Sequence, residues 1–277
     1  MATIKADKSQ KTFVVTGAAG GLGWAITECL SRKYTAEFLL LDVSTEKLRQ
    51  REAQLKGRGI RARTYTVDLA NSLALAELVQ SLRNEYPRVD LLINNAGITH
   101  RSLSTQTSSA VIRKVMAVNY HAPVELTQGL FAELKAASGC VVNISSMAGW
   151  MPVLGRAGYC AAKSALHQYF EVFREEVRND GVGVLMVYPS FLATTIEQSA
   201  LAGDGGQARH QRSTVGAVRS PEWMANQIVT AWEKGRGRWF PKDISLIGAY
   251  LYRLAPATFL KQLRKRFQVE LATASSP

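Results

Sequence analysis

Tyr159 and Lys163 stand four residues apart in Tyr-Cys-Ala-Ala-Lys. They fall in Gly158–Asn179, whose apolar spacing predicts a long helix. That separation puts both side chains on one helix face. A free phenol titrates at about pH 10 and is a poor base at neutrality. An ammonium beside it favours the phenolate, so the pair suits moving a proton to or from an oxygen.

A second group could hold the partner of such a reaction. Thr16-Gly17-Ala18-Ala19-Gly20-Gly21-Leu22-Gly23 follows an apolar run, Phe13–Thr16, and opens a helical pattern over 21–33. Glycines there permit a tight turn and close backbone approach to a pyrophosphate, at a helix N-terminus that favours negative charge. Asp42 ends the next apolar run, nineteen positions after Gly23. Its carboxylate can accept from both adenosine ribose hydroxyls and would repel a 2′-phosphate. No basic residue is evident beside the glycines, where Ala18 and Ala19 stand, so NAD is expected over NADP. Asp42 as a turn or capping residue is the competing reading.

The elements that must position these groups alternate. Apolar runs at 38–41, 61–67, 89–93, 140–144 and 182–187 read as strands, with 238–240 as a last short one. Helical patterns lie between them at 44–56, 71–86 and 108–134, the last with a break near Pro123, and at 158–179 and 221–234. Near-continuously apolar strands alternating with helices predict an α/β chain. The expected architecture is a single-domain, doubly wound Rossmann fold with a parallel sheet of about seven strands and helices on both faces. Its core would span about 11–240. Ser190–Ser220, rich in Gly, Ser, Thr and charge, is too long for an ordinary connection and reads as a mobile substrate lid.

The glycine spacing, Gly-x-x-x-Gly-x-Gly, resembles the short-chain dehydrogenase/reductase family, and further pieces match in order. They are Asp68-Leu69, Asn94-Asn95-Ala96-Gly97, Asn119, Ser145-Ser146, Tyr159-x-x-x-Lys163 and Pro189 to Thr194. The resemblance covers about residues 11–240. It implies Asn119, Ser146, Tyr159 and Lys163 as the catalytic set, with Ser146 holding the substrate oxygen, Ser145 the rival candidate, and Asn119 holding a water that connects Lys163 to solvent. It implies a dinucleotide site from Gly17, Gly21, Leu22, Gly23, Asp42, Asp68, Leu69, Asn95, Ala96, Gly97, Tyr159, Lys163, Pro189 and Thr194. It also implies pairing through the central helices into a homodimer or homotetramer. Ser190 departs from the family, which usually has Gly after Pro189.

The expected reaction is hydride exchange between nicotinamide and a secondary alcohol or ketone. A catalytically silent nicotinamide-sensing or scaffold protein on the same fold is the alternative, and the filled catalytic positions favour the enzyme. Family substrate walls correspond here to Trp150, Met151, Leu154, Phe191 and Leu192, with Ile98, Thr99, His100, Val153 and Ile196 nearby. That apolar set predicts a lipophilic substrate, steroid-like, retinoid-like or long-chain. His100 reads as a solvent-facing loop histidine.

The chain has 277 residues and a net charge of +12. Twelve Lys/Arg against four Asp/Glu lie between Gly205 and Pro277, so +8 of that charge is in this segment. No nucleic-acid recognition motif accompanies the charge. About residues 244–270, Leu246, Ile247, Tyr250, Leu251 and Leu254, then Phe259, Leu260, Leu263 and Phe267, recur at helical spacing among basic residues. Such a basic amphipathic segment could lie on an anionic membrane; equally it could pack on the enzyme body or a partner subunit. Cys29, Cys140 and Cys160 match no metal or disulfide spacing, and no metal is expected. Without a signal-like or spanning apolar run, a cytoplasmic or membrane-peripheral location is expected.

Overall fold

The structure is a computed structural model describing residues 11–194, 196, 198–208 and 218–274, the side chains to 268. The central part of the expected lid, 209–217, lies outside the described residues. Seven parallel strands form one sheet in the order β3-β2-β1-β4-β5-β6-β7. They are β1 (Lys11–Thr16), β2 (Ala36–Asp42), β3 (Ala62–Thr66), β4 (Leu91–Asn94), β5 (Cys140–Ile144), β6 (Gly183–Val187) and β7 (Arg238–Trp239). The order reverses at β1, leaving a crevice at the carboxyl ends of β1 and β4, where ligands bind in such sheets. The expected doubly wound sheet is what forms.

Helices cover both faces because the strands are apolar on both. One core cluster joins Val14, Leu39, Leu41 and Leu92 to Leu126, Leu166 and Phe170. The other joins Phe13, Phe38 and Leu40 to Ile26, Leu30 and Ile228. The helices are α1 (Gly21–Ser31), α2 (Thr45–Lys56), α3 (Ser72–Glu85), α4 (Ser109–Met116), α5 (Ala122–Gly129), α6 (Phe131–Ala137), α7 (Ala157–Glu176) and α8 (Pro221–Glu233), with α4 forming a separate small cluster through Val111 and Val115.

The break expected near Pro123 is a π-turn over Ala117–His121. Proline has no N–H to return to the carbonyl four residues back. The Ala122 N–H instead reaches the Ala117 carbonyl, one residue further than in an α-helix. Such single π-turns recur at functional sites, and this one carries Asn119.

The C-terminal segment forms a hairpin, α9 (Ile244–Leu254) and α10 (Pro256–Ala274). Its two apolar stripes differ, although Leu246 and Leu251 of α9 also pack inward. Phe259, Leu263 and Phe267 of α10 are buried against Met151, Val153 and Leu154, so this stripe packs on the enzyme body. Ile244, Ile247, Tyr250 and Leu254 of α9 stay exposed. Among the described residues no helix is long and apolar enough to cross a membrane.

Candidate active site

A cavity of about 420 Å³ occupies the crevice. At one end lie Gly17, Gly21, Leu22 and Asp42; at the other lie Ser146, Tyr159 and Lys163, with Asn95, Ala96, Gly97, Pro189 and Thr194 between them. Residues from the ends of five strands and from α7 thus line one cavity.

The glycine turn is held open by its own geometry. Gly17 and Gly21 have φ of +65° and +53°, a left-handed conformation that favours glycine. Gly23 lies off the cavity wall and serves packing. A Cβ there would come within 2.1 Å of the Gly17 carbonyl oxygen and 2.6 Å of Asn95 Nδ2. Thr16 Oγ1 accepts the backbone N–H groups of Asn95 and Ala96 at 3.0 Å each, and Asn95 Nδ2 donates to the Thr16 carbonyl at 2.9 Å. These bonds lock the turn after β4 to the turn after β1.

Asp42 acts as the turn residue of the competing reading and also faces the cavity. Its Oδ2 accepts the Ala19 N–H and its Oδ1 the Ser44 N–H, both at 3.1 Å, while the residue lines the cavity. The expectation of no basic residue near the glycines needs correction. Lys47 lines the same cavity. Arg51 Nε donates to the Ala19 carbonyl at 3.1 Å, its guanidinium 4.5 Å from the Trp24 ring centroid. Helix α2 folds these two cations back over the turn, a return that sequence distance hides. Asp68 and Leu69 lie off the cavity wall. Asp68 accepts the Ala70 N–H at 2.9 Å, and Leu69 is buried in the core.

Lys163 is 4% exposed, and its Nζ donates to the Ile144 carbonyl at 2.8 Å. Burial pushes its pKa down to about 7, because an ammonium loses hydration there. The Nζ lies 5.9 Å from the Tyr159 ring centroid. Behind it, Asn119 Nδ2 donates to the carbonyls of Ile98 and Val115 at 2.8 Å each. Its Oδ1, buried without a protein partner, is directed so that a Cβ on Gly97 would meet it at 2.8 Å. Ser146 lines the cavity and its Oγ accepts the Ala148 N–H at 3.1 Å. Ser145 Oγ turns to the Lys163 carbonyl at 3.4 Å, a backbone role.

The residues expected at the substrate divide. Met151, Val153, Phe191, Leu192, Ile196 and Thr99 line the cavity. Trp150 does not. Its ring packs against His167, Tyr188 and Phe240 at 5.0–5.6 Å, drawn into an aromatic cluster formed by β6, β7 and α7. Leu154 lies in the α10 cluster, and Ile98 packs with Val111 and Val115. Ser190, the family departure, lines the cavity and donates to Asp243 Oδ2 at 2.8 Å. Asp243 Oδ1 accepts the Ser245 N–H and caps α9. The extra hydroxyl therefore ties the turn after β6 to the C-terminal hairpin.

His100 does not face solvent as expected: it is fully buried. Its Nε2 accepts the Gly158 N–H at 2.9 Å, in the first turn of α7 and next to Tyr159. A backbone N–H can only donate, so Nδ1 carries the proton. It donates to Ser102 Oγ at 3.0 Å; Ser102 donates to Thr107 Oγ1 at 2.7 Å, and Thr107 to the Leu103 carbonyl at 2.7 Å. Burial, then the charge of Arg156, push the imidazole pKa down to about 4. Arg156, at the N-cap of α7, gives no side-chain cap; His100 supplies one from across the fold. A misplaced reacting group is costly, so His100→Phe is expected to lower kcat about tenfold or more with dinucleotide affinity unchanged. His100→Gln, which keeps an acceptor, should recover most of it. Equal kcat in the Phe variant, by steady-state assay, would rule out this role.

A family model described as short chain dehydrogenase matches residues 11–204. The bovine protein "Dehydrogenase/reductase SDR family member 7B" is 32% identical over 272 residues, covering 93% of this chain and 81% of its own length. A short-chain dehydrogenase structure from Streptomyces avermitilis superposes with a TM-score of 0.77 at 26% identity, over 94% of this chain and 98% of that one. A metagenomic short-chain oxidoreductase solved with NADP gives 0.67 at 28% identity, over 83% and 96%. Match, fold and cavity agree: the chain belongs to the short-chain dehydrogenase family.

Proposed function

We propose that this protein is an NAD-preferring oxidoreductase acting on a lipophilic secondary alcohol or its ketone, with Tyr159 as general acid/base. The observation that carries it is one cavity holding the glycine turn and Asp42 at one end and Tyr159 with buried Lys163 at the other. The cradle fits a dinucleotide: left-handed glycines beside a helix N-terminus suit a pyrophosphate, and Asp42 suits ribose hydroxyls. Pro189 and Thr194 would border the nicotinamide end. A bound nicotinamide supplies the hydride acceptor or donor.

Tyr159 takes the proton from the substrate hydroxyl in oxidation and returns it to the oxygen in reduction. Lys163, as the ammonium, favours the phenolate. Ser146 Oγ holds the substrate oxygen and steadies charge developing on it. Asn119 Oδ1, with no protein donor, suits a water passing protons to Lys163 from solvent. Met151, Val153, Phe191 and Leu192 make the substrate end apolar, which supports the lipophilic reading. The family habit of pairing through central helices extends it to assembly across α4, α5 and α7, where Val172 is exposed.

Cofactor preference is the sharpest test, because Lys47 shares the wall with Asp42. Asp42→Ala should remove the repulsion of a 2′-phosphate and leave the cation. The ratio of kcat/KM for NAD over NADP is expected to fall about tenfold or more, measured at 340 nm with lipophilic alcohols and ketones. A native preference for NADP would overturn the reading of Asp42.

A further inference from the structure

Nine large hydrophobic side chains are exposed among the described residues, and four of them sit on α9. Ile244, Ile247, Tyr250 and Leu254 are 44%, 68%, 58% and 84% exposed. Their spacing of three, three and four places them on one face. The opposite face is anchored: Ser245 and Ala249 are buried. The other five, Val43, Leu73, Val172, Val218 and Trp223, are scattered over separate elements, as single surface apolars usually are. A contiguous apolar face on one helix is different in kind.

Charge says what covers it. Between Pro241 and Gln268 the chain carries Lys242, Arg253, Lys261, Arg264, Lys265 and Arg266, all in exposed positions. Asp243 is the one acidic residue there, and it is engaged by Ser190 and the Ser245 N–H. A second copy docked through the same face about a two-fold axis would set this basic surface against itself. An anionic lipid surface would take the apolar stripe and neutralise the cations together.

We propose that α9, flanked by the basic positions of α10, docks this protein on an anionic bilayer. The membrane element is α9, since the apolar stripe of α10 is spent on Met151, Val153 and Leu154. Docking would set the bilayer against the substrate end of the cavity. Ser190 and Ser245 line the cavity at the root of α9, and Met151 and Val153 line it while packing under α10. Delivery of substrate from the bilayer rests on the lipophilic reading above; docking itself does not.

The test is flotation of the full chain with phosphatidylcholine vesicles, with and without phosphatidylserine. Wild type should float with the phosphatidylserine vesicles, and high salt should release it. The double variant Ile247→Asp with Leu254→Asp should partition at least about tenfold less, with the melting temperature and dinucleotide fluorescence titration unchanged. Reversing Arg264 and Lys265 to Glu should weaken binding to phosphatidylserine vesicles selectively. No flotation of wild type, or flotation indifferent to both variants, overturns the proposal. So does light scattering that shows the aspartate variant dissociating an oligomer, which would make the occupant a second copy. A failed alcohol assay with intact flotation would count against the substrate reading alone.

Discussion

Replacing Tyr159 by Phe is expected to cut kcat by about 10²- to 10⁴-fold, the range of a positioned acid/base group, while dinucleotide affinity changes little. The substitution removes one oxygen and keeps the ring. That ring packs beside Val111, Val115 and Ala162, so the wall of the cavity should keep its shape. Lys163 would still donate to the Ile144 carbonyl, and the glycine turn at the far end would be untouched. What disappears is the group able to take the hydroxyl proton. Turnover by absorbance at 340 nm, beside a fluorescence titration with dinucleotide, separates chemistry from binding. Turnover within threefold of wild type would remove Tyr159 from the mechanism.

Replacing Lys163 by Met should abolish most activity and at the same time stabilise the unliganded protein. The folded pKa of about 7 lies below the ordinary 10.5. Between these values the unfolded chain binds the proton and the folded chain does not, so wild-type stability rises with pH across that window. Below about pH 7 both states are protonated and the cost of a buried ammonium is fully present, roughly 5 kcal/mol. Methionine removes that cost and also the bond to the Ile144 carbonyl, worth roughly 1–3 kcal/mol. The variant should therefore unfold several degrees higher at pH 6, an increment of about 2 kcal/mol, and the advantage should fade toward pH 10.5. Melting curves against pH check this. A variant less stable than wild type at pH 6 would show the lysine to be structurally favourable, against the strained charge inferred from its burial. Such a cost at a functional residue is the usual direction of the trade between stability and activity.

Local rules made much of this molecule readable in advance. The strand at 140–144 and the helix opened by Pro221 lie where period and proline placed them. The break near Pro123 was legible because proline cannot donate, but not that the chain would absorb it as a π-turn carrying Asn119. The glycine turn was legible because left-handed conformations and close approach call for glycine, and the three-dimensional positions of Gly17, Gly21 and Gly23 all make such a demand.

The readings that failed have a common cause. His100 looked like a loop residue because nothing within ten positions marks it for burial; its partner is the Gly158 N–H, 58 residues away. Trp150 was expected at the substrate and is held by Phe240 and Tyr188. Arg51 reaches Ala19 across 32 residues, and Ser190 finds Asp243 across 53.

By itself, then, the sequence determined the alternation of elements, the family, and the residue types of the Tyr159–Lys163 pair and of the glycine turn. These are properties of period, glycine, proline and side-chain chemistry, all local. Tertiary structure alone decided which side chains face the cavity, which hydroxyl ties the C-terminal hairpin to it, and which of the two C-terminal helices keeps an apolar face outside. Those outcomes depend on how elements dozens of residues apart share one volume, and close packing gives each face a single neighbour that no local pattern names.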